Sequence, residues 1–332
     1  MPRRPISFEG RPLLDIASYA RRGPGRRDRL SPAEIEHISL TVQRAPEVMV
    51  KVLTRGGQNL GAIRRHFEYL NRKGELEIET DDGQRLGGNG IERALIDDWD
   101  LDVEEDRRRL NLDARPGHSL PKLVHKVVLS MPPGTPPQKV LDAVKNFARE
   151  EFGLKHRYAM VLHTDEPHPH VHVVIKAASE EGGRLNIRKA TLREWRREFA
   201  RHLRDLGVPA NATERAVRGE NRSLKLDGIY RAAQRGDSWR VRSLVQEVSQ
   251  EIFGKRLRNE PGKETLIETR KAIERGWREA SESLAVQGQR ELAAAVKQFV
   301  GRMPSPRTDW EMVVEELRKH HWDARAREGP TR

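Results

Sequence analysis

Histidines are concentrated in one short stretch of this chain, residues 162–176, which reads LHTDEPHPHVHVVIK. Ten consecutive positions hold Asp165 and four of the 12 histidines: His163, His168, His170 and His172. Imidazole and carboxylate groups are common ligands of divalent cations and common partners in phosphate chemistry. A single histidine is usually an ordinary surface or core residue, but this density favours a functional site. The stretch therefore predicts metal or phosphate chemistry.

The spacing of these residues also predicts how they converge. His170 and His172 lead into an apolar run typical of a β-strand, so both side chains point to one face. The segment Tyr158–His163 is a second short apolar run, and the turn-forming residues Thr164–Pro169 separate the two. A hairpin formed by these strands places His163 opposite the histidine pair, where three imidazoles can bind one divalent cation.

A nucleophile for phosphate chemistry must be water, serine or tyrosine, because the chain has no cysteine. Among the four tyrosines, Tyr69 has the most suggestive setting. It lies off the apolar face of a helix predicted to start near residue 59 and to end near Gly74. The residues one helical turn away are all basic: Arg65, His66, Arg72 and Lys73. A phosphate would be attracted to this position, although an ordinary amphipathic surface tyrosine fits the same pattern.

Strand-like and helical segments alternate around these two motifs. The predicted elements are strands at 47–53, 122–131 and 185–187 and helices at 136–152 and 192–206. Residues 75–118 are acidic and predicted to be irregular, apart from one charged helix at 100–110. Because the central pairing is a hairpin, the pattern predicts an α+β fold, an antiparallel sheet flanked by helices.

The chain divides into three predicted regions. Residues 1–45 are rich in arginine, proline and glycine and are predicted to form a basic, disordered arm. Residues 46–220 contain both motifs and are predicted to be the catalytic domain. Residues 221–332 are predicted to be mostly helical, and they contain no catalytic motif.

Composition limits the classes of partner and activity. The 332 residues carry a formal net charge of +12, which favours a polyanionic partner, and nucleic acid over a membrane. No apolar run has the length of a signal peptide core or a membrane span, so we expect a cytoplasmic protein without membrane insertion. The absence of cysteine excludes disulfides and thiolate metal sites, and the absence of a phosphate-loop motif excludes a P-loop motor.

Together the motifs resemble those of relaxases, the DNA-nicking enzymes of conjugative and mobilisable elements. This family belongs to the His-hydrophobe-His endonuclease superfamily, and the nearest resemblance is to its P-type branch, which includes the relaxases of T-DNA transfer. Four blocks within residues 47–220 carry the resemblance: Phe67–Gly74, Val127–Thr135, His163–Val174 and Gly207–Gly219.

The resemblance implies a role for each matching residue. Tyr69 would attack a phosphodiester at a transfer origin and form a 5′-phosphotyrosine linkage. His163, His170 and His172 would bind a divalent metal, Mg²⁺ or Mn²⁺ first, with Zn²⁺ also compatible with imidazole ligands. Asp165 would orient a histidine or help to take the phenol proton. Two residues are given accessory roles: Ser130, in a block expected to contact DNA, and His168, which stands beside Pro169.

The resemblance also implies partners. The substrate would be single-stranded or supercoiled DNA at a transfer origin. The six residues predicted to contact DNA are Arg65, Arg72, Lys73, Lys176, Arg188 and Lys189. Relaxosome accessory proteins and a type IV coupling protein would be protein partners, and the C-terminal region would carry a transfer signal or accessory contacts. Translocation to a recipient cell together with the DNA follows from the same resemblance.

Two other functions remain open at this point. The run from His168 to His172 also resembles the histidine-triad nucleotide hydrolases, in which the middle histidine attacks a nucleotide phosphate without metal. That function does not account for Tyr69 or for the basic charge of the chain. The second alternative is a non-catalytic DNA-binding protein of the relaxosome with a structural metal, which would retain DNA without forming a covalent adduct.

Overall fold

The computed structural model describes residues 29–53, 56–106, 121–221, 246–247, 250, 261–308, 310–312 and 315. These residues form two compact units, one spanning 44–212 and the other combining the residues before 44 with those after 212. The predicted limits of the catalytic domain, 46 and 220, stay predictions. None of the described helices is long and apolar enough to cross a membrane.

A six-stranded antiparallel sheet forms the centre of the 44–212 unit. Its strands are β1 Met49–Leu53, β2 Ile78–Thr80, β3 Arg85–Leu86, β4 Val124–Ser130, β5 Tyr158–His163 and β6 His170–Lys176. Their order across the sheet is β1-β4-β6-β5-β2-β3, and every neighbouring pair is antiparallel. The predicted α+β class and the predicted β5–β6 hairpin are both confirmed.

Helices cover both faces of this sheet. The helices of the chain are α1 Pro32–Val42, α2 Leu60–Leu70, α3 Ile91–Asp98, α4 Pro137–Phe152, α5 Lys189–Asp205, α6 Pro261–Val286 and α7 Arg290–Gly301. Successive strand side chains alternate between faces, and on β6 Val173 belongs to the core with α4 and α5. Its neighbour Val174 belongs to the other core, with α2 and α3. The histidines share the face of Val174, which we call the histidine face.

Helix α2 carries Tyr69, and its two ends are well defined. At the start, the side chain of Asn59 accepts a hydrogen bond from the backbone N–H of Ala62, an N-cap. Gly57 lies against β4, where a Cβ atom would approach the carbonyl oxygen of Val124 to 2.4 Å. The helix ends at Leu70, and a short 3₁₀ turn, Arg72–Gly74, follows.

Three predictions of secondary structure were wrong. The region 75–118, predicted to be irregular apart from one helix at 100–110, contains β2, β3 and α3. Residues 101–106 are helical as predicted, and residues 107–120 lie outside the described part. These elements are two to eight residues long, too short for a clear periodic pattern. Residues 185–187 form no strand, although Ala178 and Arg184 form an isolated bridge. The predicted disordered arm contains α1, and its first 28 residues lie outside the described part.

The second unit is helical and has its own core. Side chains from α1, α6 and α7 form it, including Ile38, Trp277 and Phe299. Helix α1 begins with a capping box, in which Ser31 and Glu34 satisfy each other's backbone N–H groups. The capped helix is short, and its buried residues are packed against helices more than 200 residues later in sequence, which local sequence patterns do not reveal.

Candidate active site

Three histidines converge on the histidine face at the end of the β5–β6 hairpin. His163 is the direct partner of His170 in the strand register, and His172 lies two residues further along β6 on the same face. All three side chains are buried. One ring nitrogen from each lies within 4.8 Å of the others, close enough to share a metal ion.

The hydrogen bonds of these rings leave nitrogen lone pairs free for a ligand. His163 Nε2 lies 3.0 Å from the carbonyl oxygen of Leu70, which can only accept, so Nε2 carries the proton and the lone pair is on Nδ1. By the same reasoning, the Nδ1 of His170 donates to the carbonyl of His168 at 3.1 Å. Among the described residues, the buried Nδ1 atoms of His163 and His172 have no hydrogen-bond partner. This donor set fits a divalent cation.

Burial also keeps two of these rings, those of His163 and His172, in the form that binds metal. Burial, reinforced by the neighbouring His163 and His170, lowers the pKa of His172 to about 3. Burial likewise lowers the pKa of His163 below its ordinary value. Neutral imidazole is the ligating form, so these two rings need no deprotonation step at neutral pH to bind a cation.

Tyr69 lies on the last turn of α2, directly against this cluster. Its ring centre is 5.8 Å from that of His163 and 6.0 Å from that of His172, with the rings edge to face. His66 stacks on it at 6.1 Å, and the Arg72 guanidinium carbon lies 4.8 Å from the ring centre. The side chain is still 49% exposed, so the ring is held in place while a large substrate can reach it.

Asp165 pairs with an arginine of the site, and its predicted role towards a histidine or the phenol stays a prediction. Its exposed carboxylate forms an ion pair with Arg72. Among the described residues, it forms no hydrogen bond with a histidine or with Tyr69. Asp165 therefore contacts the tyrosine only through Arg72, whose guanidinium it holds over the phenol ring.

The two accessory residues lie close to the cluster without joining it. Ser130 is the β4 partner of His170, but its side chain is only 2% exposed, which does not support a direct contact with DNA. His168 precedes β6, its ring centre is 5.6 Å from that of His170, and it is not part of the metal-binding group. A histidine-triad hydrolase would need His168 on the strand beside His170, so the geometry disfavours that alternative.

The structure brings together only some of the basic residues that were predicted to bind DNA. Arg65 and Lys73 are exposed near Tyr69, although Lys73 lies beyond the end of α2 rather than on the helix. Lys176 is at the far end of β6, roughly 20 Å from His170 by strand length, and pairs with Glu180.

The remaining predicted pair, Arg188 and Lys189, is exposed at the start of α5. That helix packs on the opposite face of the sheet, so this pair and Lys176 are not part of the candidate site. Sequence reasoning noted His66 only as a charge; its position three residues before Tyr69 was the available signal for a stacking partner.

Comparisons with known proteins find a family match that includes the three histidines. Residues 75–208 match the model of the relaxase family described as the MobA/VirD2-like nuclease domain. This segment contains the three histidines but not Tyr69, whose assignment rests on the resemblance and the contacts above.

Three curated relatives are T-DNA border endonucleases VirD2. The protein from Rhizobium radiobacter is 27% identical over 195 residues, which is 52% of this chain and 43% of the relative. That from Agrobacterium fabrum is 25% identical over 222 residues, 59% of this chain and 46% of the relative. That from Rhizobium rhizogenes is 26% identical over 146 residues, 39% of this chain and 30% of the relative. The chain thus matches less than half the length of these relatives.

Proposed function

Because the chain carries a relaxase nuclease domain of the MobA/VirD2-like family, we propose that it nicks one strand of DNA at a transfer origin and remains covalently attached to that strand. The observation that carries this proposal is the contact of Tyr69 with the histidine cluster, 5.8 Å from His163 and 6.0 Å from His172 between ring centres. A phosphodiester held by the cluster would lie within reach of the phenol oxygen.

The proposed reaction is a transesterification. The phenolic oxygen of Tyr69 forms a bond to phosphorus, and the bond between phosphorus and the 3′ oxygen breaks. The phenol loses one proton and the released 3′ oxygen gains one, so the products are a 5′-phosphotyrosine and a 3′-hydroxyl. One phosphodiester replaces another, which makes the reaction close to neutral in free energy and reversible. Such an enzyme can nick a strand and later rejoin it.

Each residue of the site has its own proposed role in this reaction. His163, His170 and His172 would hold the divalent ion, Mg²⁺ or Mn²⁺ in the first instance. When bound, such an ion polarises the phosphodiester and stabilises charge that develops on the phosphoryl oxygens. Arg72 restrains the ring of Tyr69 and contributes positive charge beside the phosphate, and Asp165 holds Arg72 in that position.

The wider biological role is part of the same proposal. The names of the curated relatives refer to T-DNA borders, and we propose a comparable single-strand substrate at a conjugative or mobilisation origin. Accessory relaxosome proteins, a type IV coupling protein, cytoplasmic action and translocation with the DNA follow from the family resemblance and are proposed on that basis.

The test is a nicking assay on supercoiled plasmid carrying the cognate transfer origin, with and without Mg²⁺ or Mn²⁺. We expect strand-specific nicked circles whose 5′ end is blocked by protein. Tyr69→Phe removes the nucleophile and should abolish the adduct. Tyr158→Phe is the matched control, because Tyr158 is buried in the core formed with α4 and α5. This variant should nick DNA as the unmodified protein does. Adduct formation by Tyr69→Phe would show that the nucleophile is misassigned.

A non-catalytic relaxosome protein is the remaining alternative. It predicts that the unmodified protein retains DNA in a mobility-shift assay and forms no covalent adduct under any metal condition. The contact between Tyr69 and the histidine cluster favours the catalytic function, because a purely structural metal site has no need of a half-exposed phenol beside it.

A further inference from the structure

A buried asparagine at the end of α2 has no role in the nicking reaction as described so far. Asn71 is only 2% exposed and lies two residues after Tyr69. Its side-chain Nδ2 donates a hydrogen bond of 2.7 Å to the carbonyl oxygen of Gly88. Gly88 belongs to Gly87–Gly90, the segment between β3 and α3, which we call the glycine loop. Asn71 therefore fastens the end of the helix that carries the tyrosine to this loop.

The peptide group between Leu70 and Asn71 connects this attachment to the histidine cluster. Its N–H, on Asn71, donates to the carbonyl of Phe67 at 2.9 Å. Its carbonyl, on Leu70, accepts from His163 Nε2 at 3.0 Å. Because a peptide group is planar, a shift of Asn71 would also turn the Leu70 carbonyl away from His163. The ring proton of His163 would then lose its acceptor and could occupy Nδ1, the nitrogen that is otherwise free for a ligand.

The same attachment fixes the residue that follows Asn71. Arg72 and Lys73 have positive φ angles of 52° and 56°, a conformation that non-glycine residues keep only where their surroundings hold them. The backbone carbonyl of Asn71 closes this turn by accepting from the N–H of Gly74 at 3.1 Å. An anchored Asn71 thus sets where the chain reverses and where the Arg72 guanidinium lies.

Gly74 provides a second contact between the turn and the glycine loop. A Cβ atom at Gly74 would lie 3.0 Å from Asn89 Oδ1 and 3.2 Å from the carbonyl carbon of Gly88. These distances leave no room for a side chain, so the turn and the loop are in direct contact on either side of Arg72 and Lys73.

We propose that Asn71 is a positioning residue for the nicking reaction. By holding the turn after α2 on the glycine loop, it keeps the Leu70 carbonyl on His163 and the Arg72 guanidinium over the ring of Tyr69. One buried amide thereby aligns the nucleophile with a metal ligand. This inference rests on the proposed function, because it takes Tyr69 as the nucleophile and His163 as the ligand.

The first measurement is the rate of single-turnover nicking by Asn71→Ala. This variant loses the hydrogen bond to Gly88 and should nick roughly 10- to 100-fold more slowly, with unchanged affinity for the DNA strand. Thr80→Ala is the control. Thr80 is also buried, and its hydroxyl donates to Asp82 and to the carbonyl of Gln84. Its strand partner is Ala159, away from the cluster, so this variant should nick at the unmodified rate.

The second measurement is the tautomer of His163 in the metal-free protein at neutral pH. Long-range ¹⁵N–¹H spectra identify which ring nitrogen carries the proton. We expect the proton on Nε2 in the unmodified protein and a mixture of both tautomers in Asn71→Ala. A merely structural role would lower the melting temperature without moving this proton.

Gly74→Ala weakens the same attachment while Asn71 stays intact. Its added Cβ atom pushes the turn away from the glycine loop, so we expect slower nicking and a mixed His163 tautomer here too. Gly83→Ala is the matched control, because Gly83 also has a positive φ, 83°, but an added Cβ atom meets no other atom within 4 Å.

Unchanged nicking rates in Asn71→Ala and Gly74→Ala would overturn the inference. So would slower nicking with His163 still protonated on Nε2 alone, or a loss of DNA affinity that accounts for the lower rate. In each of these cases the unmodified protein still forms the Tyr69 adduct. If the proposed function fails instead, the unmodified protein forms no adduct, although the His163 tautomer responds to Asn71→Ala.

Discussion

At the scale of the residue, the candidate site depends on how one aromatic ring is enclosed. Tyr69 has His66 stacked against it, Arg72 over its ring and two histidines of the cluster at its edge. The turn after α2 places Arg72 there with positive φ angles, 52° at Arg72 and 56° at Lys73. Non-glycine residues adopt this left-handed region at an energetic cost, and such strain is common at functional sites. The phenol is thereby oriented before a substrate binds.

This enclosure predicts that His66 positions the nucleophile rather than reacting itself. His66→Ala removes the stacked ring and should slow single-turnover nicking roughly 10- to 100-fold, the effect expected of a misplaced reacting group. His66→Phe keeps the ring and should restore most of the rate, with unchanged affinity for DNA in both variants. If phenylalanine is as slow as alanine, the imidazole nitrogens matter and the stacking explanation fails.

At the scale of the element, β4 presents different side chains to the two faces of the sheet, because successive side chains of a strand alternate between faces. Lys126 and Ser130 point to the histidine face, whereas His125 points to the opposite one. There, His125 Nε2 donates to the carbonyl of Leu185 at 3.0 Å and ties the segment before α5 to the sheet. Burial lowers the pKa of His125 to about 4. Its neutral form is therefore part of the folded structure.

The low pKa of His125 predicts a loss of stability in acid. The unfolded chain takes up a proton near pH 6.5, while folded His125 does so only near pH 4. The stabilisation is complete above pH 6.5 and is lost as the pH falls towards 4, by at most about 3 kcal/mol. His125→Gln keeps a donor but does not titrate, so its unfolding free energy, measured by urea titration, should fall less steeply over this range. Equal slopes for the two proteins would contradict the prediction.

At the scale of the whole molecule, the described residues form two compact units, and one of them combines segments from before and after the sheet. Ile38 of α1 is fully buried with Trp277 and Phe299 of the C-terminal helices. The Trp277 Nε1 donates to the carbonyl of Val217, and Arg270 donates to that of Gly219. Helix α1 is therefore a structural part of the helical unit, although it precedes the sheet in sequence.

Helix α1 should accordingly control the stability of helices that follow it by more than 200 residues. Ile38→Ala leaves a cavity in a closed core and should cost about 2–4 kcal/mol of that unit's stability. Amide hydrogen exchange should then accelerate in α6 and α7 and stay unchanged in β4 and β6. Ile35→Ala, at a partly buried position of the same helix, should have a smaller effect. Faster exchange in the sheet would mean that the two units do not respond separately.

Much of the candidate site could be predicted from sequence because its signals are local. The two-residue period of β6 places His170 and His172 on one face, and a six-residue turn-rich loop leads back to His163. The spacing of basic residues around Tyr69 is also local. The antiparallel sheet followed from the same hairpin.

Contacts between distant segments were decided only by the tertiary structure. Asp165 pairs with Arg72 across 93 residues, a contact that the local sequence around Asp165 does not reveal. Packing also brought α1 to the C-terminal helices. The periodicity of a helix or strand predicts which face of that element a side chain lies on. It does not predict which other element packs against that face. That choice depends on how apolar surfaces are buried together across the whole chain.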